Sequence, residues 1–131
     1  SLHAVAERNV SEIQNILRTY FHQRDQLEPV TRTELMQRMK QGLVTVIDVR
    51  PEDEFALGHI PHARNIPLSR LKHHLAKLDR RTEIVAYCRG PYCVMSFEAV
   101  AQLRKLGFKA RRLEDGLPEW KAAGLPVETA G

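Results

Sequence analysis

The feature that most constrains the fold is a pair of apolar, β-branched runs separated by segments with helical patterning. The runs are LVTVIDV, residues 43–49, and EIVAY, residues 83–87. Continuous apolar runs of this length are typical of strands buried on both faces of a parallel sheet. Because parallel strands need long, usually helical connections, the alternation predicts an α/β fold with a central, mostly parallel sheet and helices on both faces.

Helix signals lie on both sides of these runs. Thr31 and Glu34 form a capping-box pattern at the start of a short helix that Gly42 ends. Pro51, followed by three acidic residues, predicts a second short helix that ends at Gly58. The remaining predictions are short strands over 63–66 and 109–114, a helix over 70–78 that Ser69 caps, a helix over 95–106 and a last short helix around Trp120.

The first 24 residues are predicted to form a separate helix. Their apolar residues recur at spacings of 4, 3, 4 and 3, at Ala6, Val10, Ile13, Leu17 and Tyr20. Such a stripe favours packing along another helix. Two interpretations remain open, a helix lying on its own domain and a linker or homodimer helix. We therefore divide the chain into an N-terminal helix and linker, 1–29, and a domain, 30–131. Because the chain begins with Ser1 and not Met, we expect it to be processed, trimmed or cut from a longer protein.

Composition excludes several classes of function. No apolar run approaches the roughly 20 residues of a membrane span, so no membrane partner is expected. The net charge is +4, but the basic residues are scattered, so we expect this segment itself to bind no nucleic acid. The six histidines show no metal-ligand spacing with the two cysteines. Two cysteines do not make a disulfide framework, which favours a reducing, cytoplasmic setting with both as thiols at rest.

Both cysteines lie in one short loop, CRGPYC, residues 88–93, between a predicted strand and a predicted helix. Ligands of α/β sheets collect at the carboxyl ends of strands. Converging backbone N–H groups and a helix N-terminus stabilise an anion there, which favours the thiolate, the nucleophilic form of Cys88. Arg89 adds a positive charge suited to an oxyanion such as sulfite or thiosulfate. The alternative is that both cysteines are buried thiols with a packing role.

Three further motifs, in order around this loop, resemble those of rhodanese domains. They are DVR at 48–50, GHIPHARNIP at 58–67 and LEDGLPEW at 113–120, and the resemblance covers about 30–127. His62 stands where the family signature usually has Gly, which predicts reduced backbone freedom. Asp115 replaces the first Gly of the closing segment.

The resemblance implies a rhodanese-like fold and a thiosulfate-type sulfurtransferase. Cys88 would take a sulfane sulfur from thiosulfate or a persulfide, form a persulfide, and pass the sulfur to cyanide, a thiol or a partner protein. No metal or organic cofactor is implied. The loop that would bind the persulfide and the leaving anion comprises Arg89, Gly90, Pro91, Tyr92, Cys93 and Val94.

Residues outside the loop are interpreted as structural support. We expect Asp48 to accept hydrogen bonds from loop amides and Arg50 to pair with an acid such as Glu54. His59 is interpreted as a hydrogen-bonded structural residue. Rhodanese-fold phosphatases and arsenate reductases have an Arg six positions after the cysteine, where this chain has Val94, so that activity is disfavoured.

Cys93 leaves a second function open. A thiol five residues from Cys88 is placed to attack a Cys88 persulfide or sulfenic acid as a resolving group; alternatively it is a small apolar residue at the helix start. The helix HAVAERNVSEIQNILRTYF and the cysteine loop also resemble the C-terminal part of ArsR-type regulators fused to a rhodanese domain. That resemblance implies a sulfur- or redox-sensing module of a DNA-binding regulator, using Cys88 and Cys93. An inactive scaffold is the third alternative, disfavoured by the intact loop.

Overall fold

The computed structural model describes residues 29–90 and 93–129; the predicted N-terminal helix lies outside these residues. Its centre is a four-stranded sheet in which every pairing is parallel. The strands are β1 (Val44–Asp48), β2 (Arg64–Asn65), β3 (Glu83–Tyr87) and β4 (Ala110–Arg112), in the order β2-β1-β3-β4. The predicted α/β fold with a parallel sheet is therefore confirmed.

Within the described residues, four α-helices and two short 3₁₀ segments precede, connect or follow the strands. The helices are α1 (Arg32–Lys40), α2 (Glu52–Leu57), α3 (Val94–Lys105) and α4 (Leu117–Ala122). The predicted helix over 70–78 is wrong, because this stretch forms 3₁₀ segments at Leu68–His73 and Leu75–Lys77. Since the first segment begins directly after Pro67, Ser69 lies inside it and does not cap it.

The predicted ends of α1 are present in the structure. The Glu34 N–H donates to Oγ1 of Thr31 at 3.2 Å, which caps the helix. Gly42 follows the helix with a φ of 68°, a left-handed conformation that glycine adopts at little cost. The carboxylate of Glu34 accepts a hydrogen bond from Arg111 at 2.9 Å and forms an ion pair with Arg38, so it ties α1 to β4.

Helices cover both faces of the sheet because side chains alternate along each buried strand. One face packs against α3, and its core includes Ile47, Ile84, Ala86, Ala99 and Leu103. The opposite face packs against α1 and α4, and its core includes Val46, Val85, Leu35, Leu117 and Trp120. Within residues 29–90 and 93–129, no helix combines the length and the apolar character needed to cross a membrane.

The register of the two central strands positions the candidate site. Asp48, the last residue of β1, is paired with Tyr87, the last residue of β3. The loops that follow both strands therefore start side by side at the carboxyl edge of the sheet. One loop leads into α2 and the other carries the two cysteines toward α3.

Candidate active site

Cys88 lies directly after β3, at the carboxyl edge of the sheet, and is 1% exposed. The neighbouring chain segments hold its backbone on both sides. The Leu117 N–H donates to the Cys88 carbonyl at 3.3 Å, and the Val49 N–H donates to the Tyr87 carbonyl at 3.2 Å. The sulfur-bearing residue is thus fixed between the start of α4 and the end of β1.

Cys93 faces Cys88 across the loop, and the structure joins the two sulfur atoms in a disulfide. The Cα atoms are 6.2 Å apart, within the usual range for bridged cysteines. Cys93 is the N-terminal flanking residue of α3; its N–H donates to the Gly90 carbonyl at 3.2 Å, and its carbonyl accepts from Oγ of Ser96 at 3.0 Å. The sequence interpretation expected both cysteines to be thiols at rest and left a bridge between them open. The structure corrects the first expectation, because the path of the loop brings Cys93 to Cys88.

The side chain of Arg89 extends from the loop to Glu54 on α2. Its Nε donates to both carboxylate oxygens of Glu54, at 2.8 and 3.1 Å. The side chains of Arg89 and Glu54 are 56% and 33% exposed, so the pair is solvated and adds little to stability. Its consequence is electrostatic, since the one cationic side chain of the loop is already beside a carboxylate.

Asp48 and Arg50 form a buried ion pair under the loops. Nε and Nη2 of Arg50 donate to the Asp48 carboxylate, with the Nη2–Oδ2 distance at 2.7 Å, and Nη2 also donates to the Gly58 carbonyl. The backbone N–H of Arg50 donates to Oδ1 of Asp48 at 3.0 Å. Burial alone would lower the pKa of Arg50, but the hydrogen bonds and charge of Asp48 outweigh it and raise that pKa.

The expected partner of Arg50 therefore needs correction. The sequence interpretation paired Arg50 with an acid such as Glu54, whereas its hydrogen-bonded acid is Asp48 and Glu54 contacts Arg89. The reason is geometric, because Asp48 ends a buried strand two residues before Arg50 while Glu54 lies in the first turn of α2. Glu54 acts on Arg50 only through its charge.

Tyr87 joins this network from β3. Its hydroxyl accepts the Ile60 N–H at 3.0 Å, and the ring is fully buried. Burial, followed by the charge of Asp48 and a side-chain hydrogen bond with Asp48, raises the pKa of Tyr87 far above its ordinary value. The phenol is therefore neutral and connects the GHIP segment to the end of the sheet.

The closing motif forms the floor of the cysteine loop. A β-carbon on Gly116 would collide with backbone atoms of Arg89 and Gly90, so only glycine permits this close approach. The Gly116 N–H donates to Oε2 of Glu119 at 3.1 Å, and Oε1 of Glu119 lies 4.0 Å from where a β-carbon of Gly90 would stand. Asp115, the departure from the family pattern, pairs with Arg32 of α1 at 3.0 Å.

The two histidines of the GHIPH segment, His59 and His62, differ in how the structure places them. Nδ1 of His59 is 2.8 Å from the Phe55 carbonyl, and the two rings stack with centroids 3.6 Å apart. His62 has a φ of 68°, in the left-handed region, and it stands at the position where the family signature usually has Gly.

Among the described residues, no group of three or more His, Cys, Asp or Glu side chains is arranged to hold a metal ion.

The structure brings some of the predicted loop residues together and leaves others aside. Cys88, Arg89, Gly90 and Cys93 lie at one edge of the sheet, and Val94 begins α3 with its side chain 72% exposed. Pro91 and Tyr92 lie outside the described residues.

Sequence reasoning missed three neighbours of the loop. These are Glu54, Glu119 and the close contact of Gly116. Gly116 and Glu119 both lie in the closing motif, but only the glycine is one of its defining residues; the approach of the Glu54 and Glu119 carboxylates to the loop results from tertiary packing.

The comparisons with known proteins agree with this geometry. A family model described as a rhodanese-like domain matches residues 31–123. The chain is 50% identical over 101 residues to the HTH-type transcriptional regulator Rv0324 of Mycobacterium tuberculosis, which is 77% of this chain and 45% of that protein. It is 30% identical over 95 residues to the thiosulfate sulfurtransferase GlpE of Coxiella burnetii, which is 71% of this chain and 86% of that protein.

A solved structure gives the same result for the fold. The BH2092 protein of Bacillus halodurans superposes with a TM-score of 0.75 at 26% identity, covering 88% of this chain and 86% of that one. This chain spans less than half the length of the mycobacterial regulator. Fold, motifs and family match converge, and the chain belongs to the rhodanese-like domain family.

Proposed function

We propose that this domain is a sulfurtransferase that forms a persulfide on Cys88 and passes the sulfane sulfur to a thiophilic acceptor such as cyanide or a thiol. The observation that carries the proposal is the position of Cys88, buried at the carboxyl end of β3 and followed by a loop that leads into the N-terminus of α3. A helix N-terminus favours a thiolate over a thiol. The thiosulfate sulfurtransferase from Coxiella burnetii, a relative of similar domain size, supports the same chemistry.

The reaction starts from the reduced loop. A thiol or dithiol reductant opens the Cys88–Cys93 disulfide by exchange and is itself oxidised. The Cys88 thiolate then attacks the outer sulfur of thiosulfate; the new S–S bond forms as the donor's S–S bond breaks, and sulfite leaves with the electron pair. The acceptor attacks the outer sulfur of the persulfide and returns Cys88 as a thiolate. The backbone N–H groups of 89–94, apart from Pro91, which has none, and the Arg89 side chain are proposed to hold the anions.

Thiocyanate production tests this function directly. Reduced wild-type protein, supplied with thiosulfate and cyanide, is expected to release thiocyanate, and Cys88→Ser is expected to release none. Cys93→Ser is the matched control, because it removes the other thiol of the same loop while keeping the proposed nucleophile. Thiocyanate formed by Cys88→Ser would overturn the assignment of the nucleophile.

A second candidate function is sulfur or redox sensing within a DNA-binding regulator, favoured by the bridge between Cys88 and Cys93. The Cys93 thiolate would attack the inner sulfur of a Cys88 persulfide, forming the disulfide and releasing hydrosulfide. The 50% identity to a transcriptional regulator supports this context. A regulator is expected to show one release of hydrosulfide per loop without an added reductant, and Cys93→Ser is expected to retain its persulfide.

The dimer proposed for such a regulator rests on the stripe of residues 2–24. Analytical ultracentrifugation of the full chain beside a chain lacking 1–29 tests it. A dimer that persists after the truncation would contradict the proposal.

A further inference from the structure

The cysteine loop is flanked by more negative charge than its sequence indicates. Arg89 is the only basic residue in CRGPYCV, residues 88–94. Its Nε donates to both oxygens of Glu54, at 2.8 and 3.1 Å. This contact joins the loop after β3 to α2 and pairs the loop's own basic side chain with a carboxylate.

A second carboxylate, that of Glu119 on α4, approaches the loop. Oε2 of Glu119 accepts the Gly116 N–H at 3.1 Å, which holds the carboxylate near Gly90. Arg50 and Asp48 offset each other in their buried pair. Among the described residues, the side chains that contact or approach the loop thus include one guanidinium and two carboxylates, so these carboxylates outnumber the cation that pairs with Glu54.

That balance opposes a donor with two negative charges. Thiosulfate is a dianion, and its leaving group, sulfite, keeps that charge at the loop. Coulomb repulsion rises in proportion to the charge of the ligand, so a carboxylate penalises a dianion about twice as much as a monoanion at the same distance. Salt screens such interactions at an exposed site.

We propose that Glu54 is a specificity-determining residue that pairs with Arg89 and selects against dianionic sulfur donors, in favour of sulfane sulfur carried on a monoanionic or uncharged group such as an organic persulfide. This inference rests on the proposed sulfurtransferase function. With an organic persulfide, the Cys88 thiolate attacks the terminal sulfur, the Cys88 S–S bond forms, and the donor S–S bond breaks. The organic thiolate leaves with the electron pair, and the transferred sulfur keeps its proton.

Two donors that differ by one charge provide the test. Thiosulfate and methanethiosulfonate both present a sulfane sulfur on an oxidised sulfur atom, but their charges are −2 and −1. From the latter, the Cys88 thiolate takes the sulfur and methanesulfinate leaves. Thiocyanate production from each donor is measured at low ionic strength with reduced wild type, Glu54→Gln and Glu52→Gln.

Glu52→Gln is the matched control. It removes the same charge from the same helix, but Glu52 pairs with Arg70 at 2.7 Å and not with the loop. Glu54→Gln is expected to raise kcat/KM for thiosulfate roughly three- to tenfold, mainly through KM, and to raise it less for methanethiosulfonate. Added salt is expected to shrink the difference, and Glu52→Gln to leave the donor ratio unchanged.

Arg89→Gln gives a second arm. In the Glu54→Gln background it is expected to cost thiosulfate turnover more than in wild type, because Arg89 is then released to hold the donor. If Glu54→Gln turns over both donors with an unchanged ratio of their kcat/KM values, or if Glu52→Gln changes that ratio equally, the selectivity assigned to Glu54 is overturned. The proposed sulfurtransferase function would then still stand. No thiocyanate from either donor, with the Cys88 thiol verified by alkylation, would overturn the proposed function and the selectivity with it.

Discussion

Two arginine–carboxylate pairs lie at the same edge of the sheet and differ in what surrounds them. In the pair under the loops, the side chains of Arg50 and Asp48 are 7% and 0% exposed. In the pair on the loop, those of Arg89 and Glu54 are 56% and 33% exposed. A buried pair is costly to break because one charge is left without a partner, whereas a solvated pair exchanges its partner for water. We therefore expect the first pair to hold the fold, and we propose that the second sets the charge at the candidate site.

The largest expected effect comes from breaking the buried pair. Arg50→Met leaves the Asp48 carboxylate buried and uncompensated, so we expect the free energy of unfolding to fall by about 3–5 kcal/mol. Arg89→Met is the matched control and is expected to cost about 1 kcal/mol or less, since its pair is solvated. Urea unfolding followed by circular dichroism gives both values. Equal losses would remove the distinction between the two pairs.

The close contact beneath the loop has an intermediate expected effect. Gly116→Ala places a β-carbon against the backbone of Arg89 and Gly90, so we expect a loss of about 1–3 kcal/mol from overpacking. Gly90→Ala is the control on the other side of the contact, where the nearest atom lies 4.0 Å away. Its stability is expected to match wild type. If Gly116→Ala is as stable as wild type, the cysteine loop can move away from the start of α4 without loss of stability.

The smallest effect is expected at His62, which replaces the Gly usual in the family signature. At a φ of 68°, as His62 has, a non-glycine residue is strained, whereas glycine loses more backbone entropy on folding. The two terms partly cancel, so His62→Gly is expected to raise the free energy of unfolding by up to about 1 kcal/mol. His62→Ala keeps the backbone strain and is expected to give no gain. The same gain from both would assign the effect to the imidazole.

The sequence predicted what local pattern controls. The runs at 43–49 and 83–87 identify β1 and β3 because both strands are buried. Thr31 marks a helix start through its side-chain hydroxyl, and Gly42 follows the helix end with a left-handed backbone. The stretch 70–78 misled because its leucine stripe also suits 3₁₀ segments, and the first segment starts at Leu68, directly after Pro67 and before Ser69.

The surroundings of Cys88 could be predicted only in part. The family motifs place Cys88 and Gly116, but Glu54 and Arg89 are 35 residues apart in sequence and meet only because α2 lies beside the cysteine loop. The bridge between Cys88 and Cys93 likewise depends on the path of the loop rather than on the spacing of the cysteines. Charge at the site is therefore a tertiary property.

Intact mass spectrometry of the reduced protein after incubation with thiosulfate shows whether Cys88 carries the transferred sulfur. Wild type is compared with Cys88→Ser and Cys93→Ser. We expect a persulfide, the mass of one added sulfur atom, on Cys93→Ser and none on Cys88→Ser; wild type carries either that sulfur or the Cys88–Cys93 disulfide formed by releasing it. An added sulfur on Cys88→Ser, or none on Cys93→Ser with its Cys88 thiol intact, would show that Cys88 is not the persulfide-forming nucleophile.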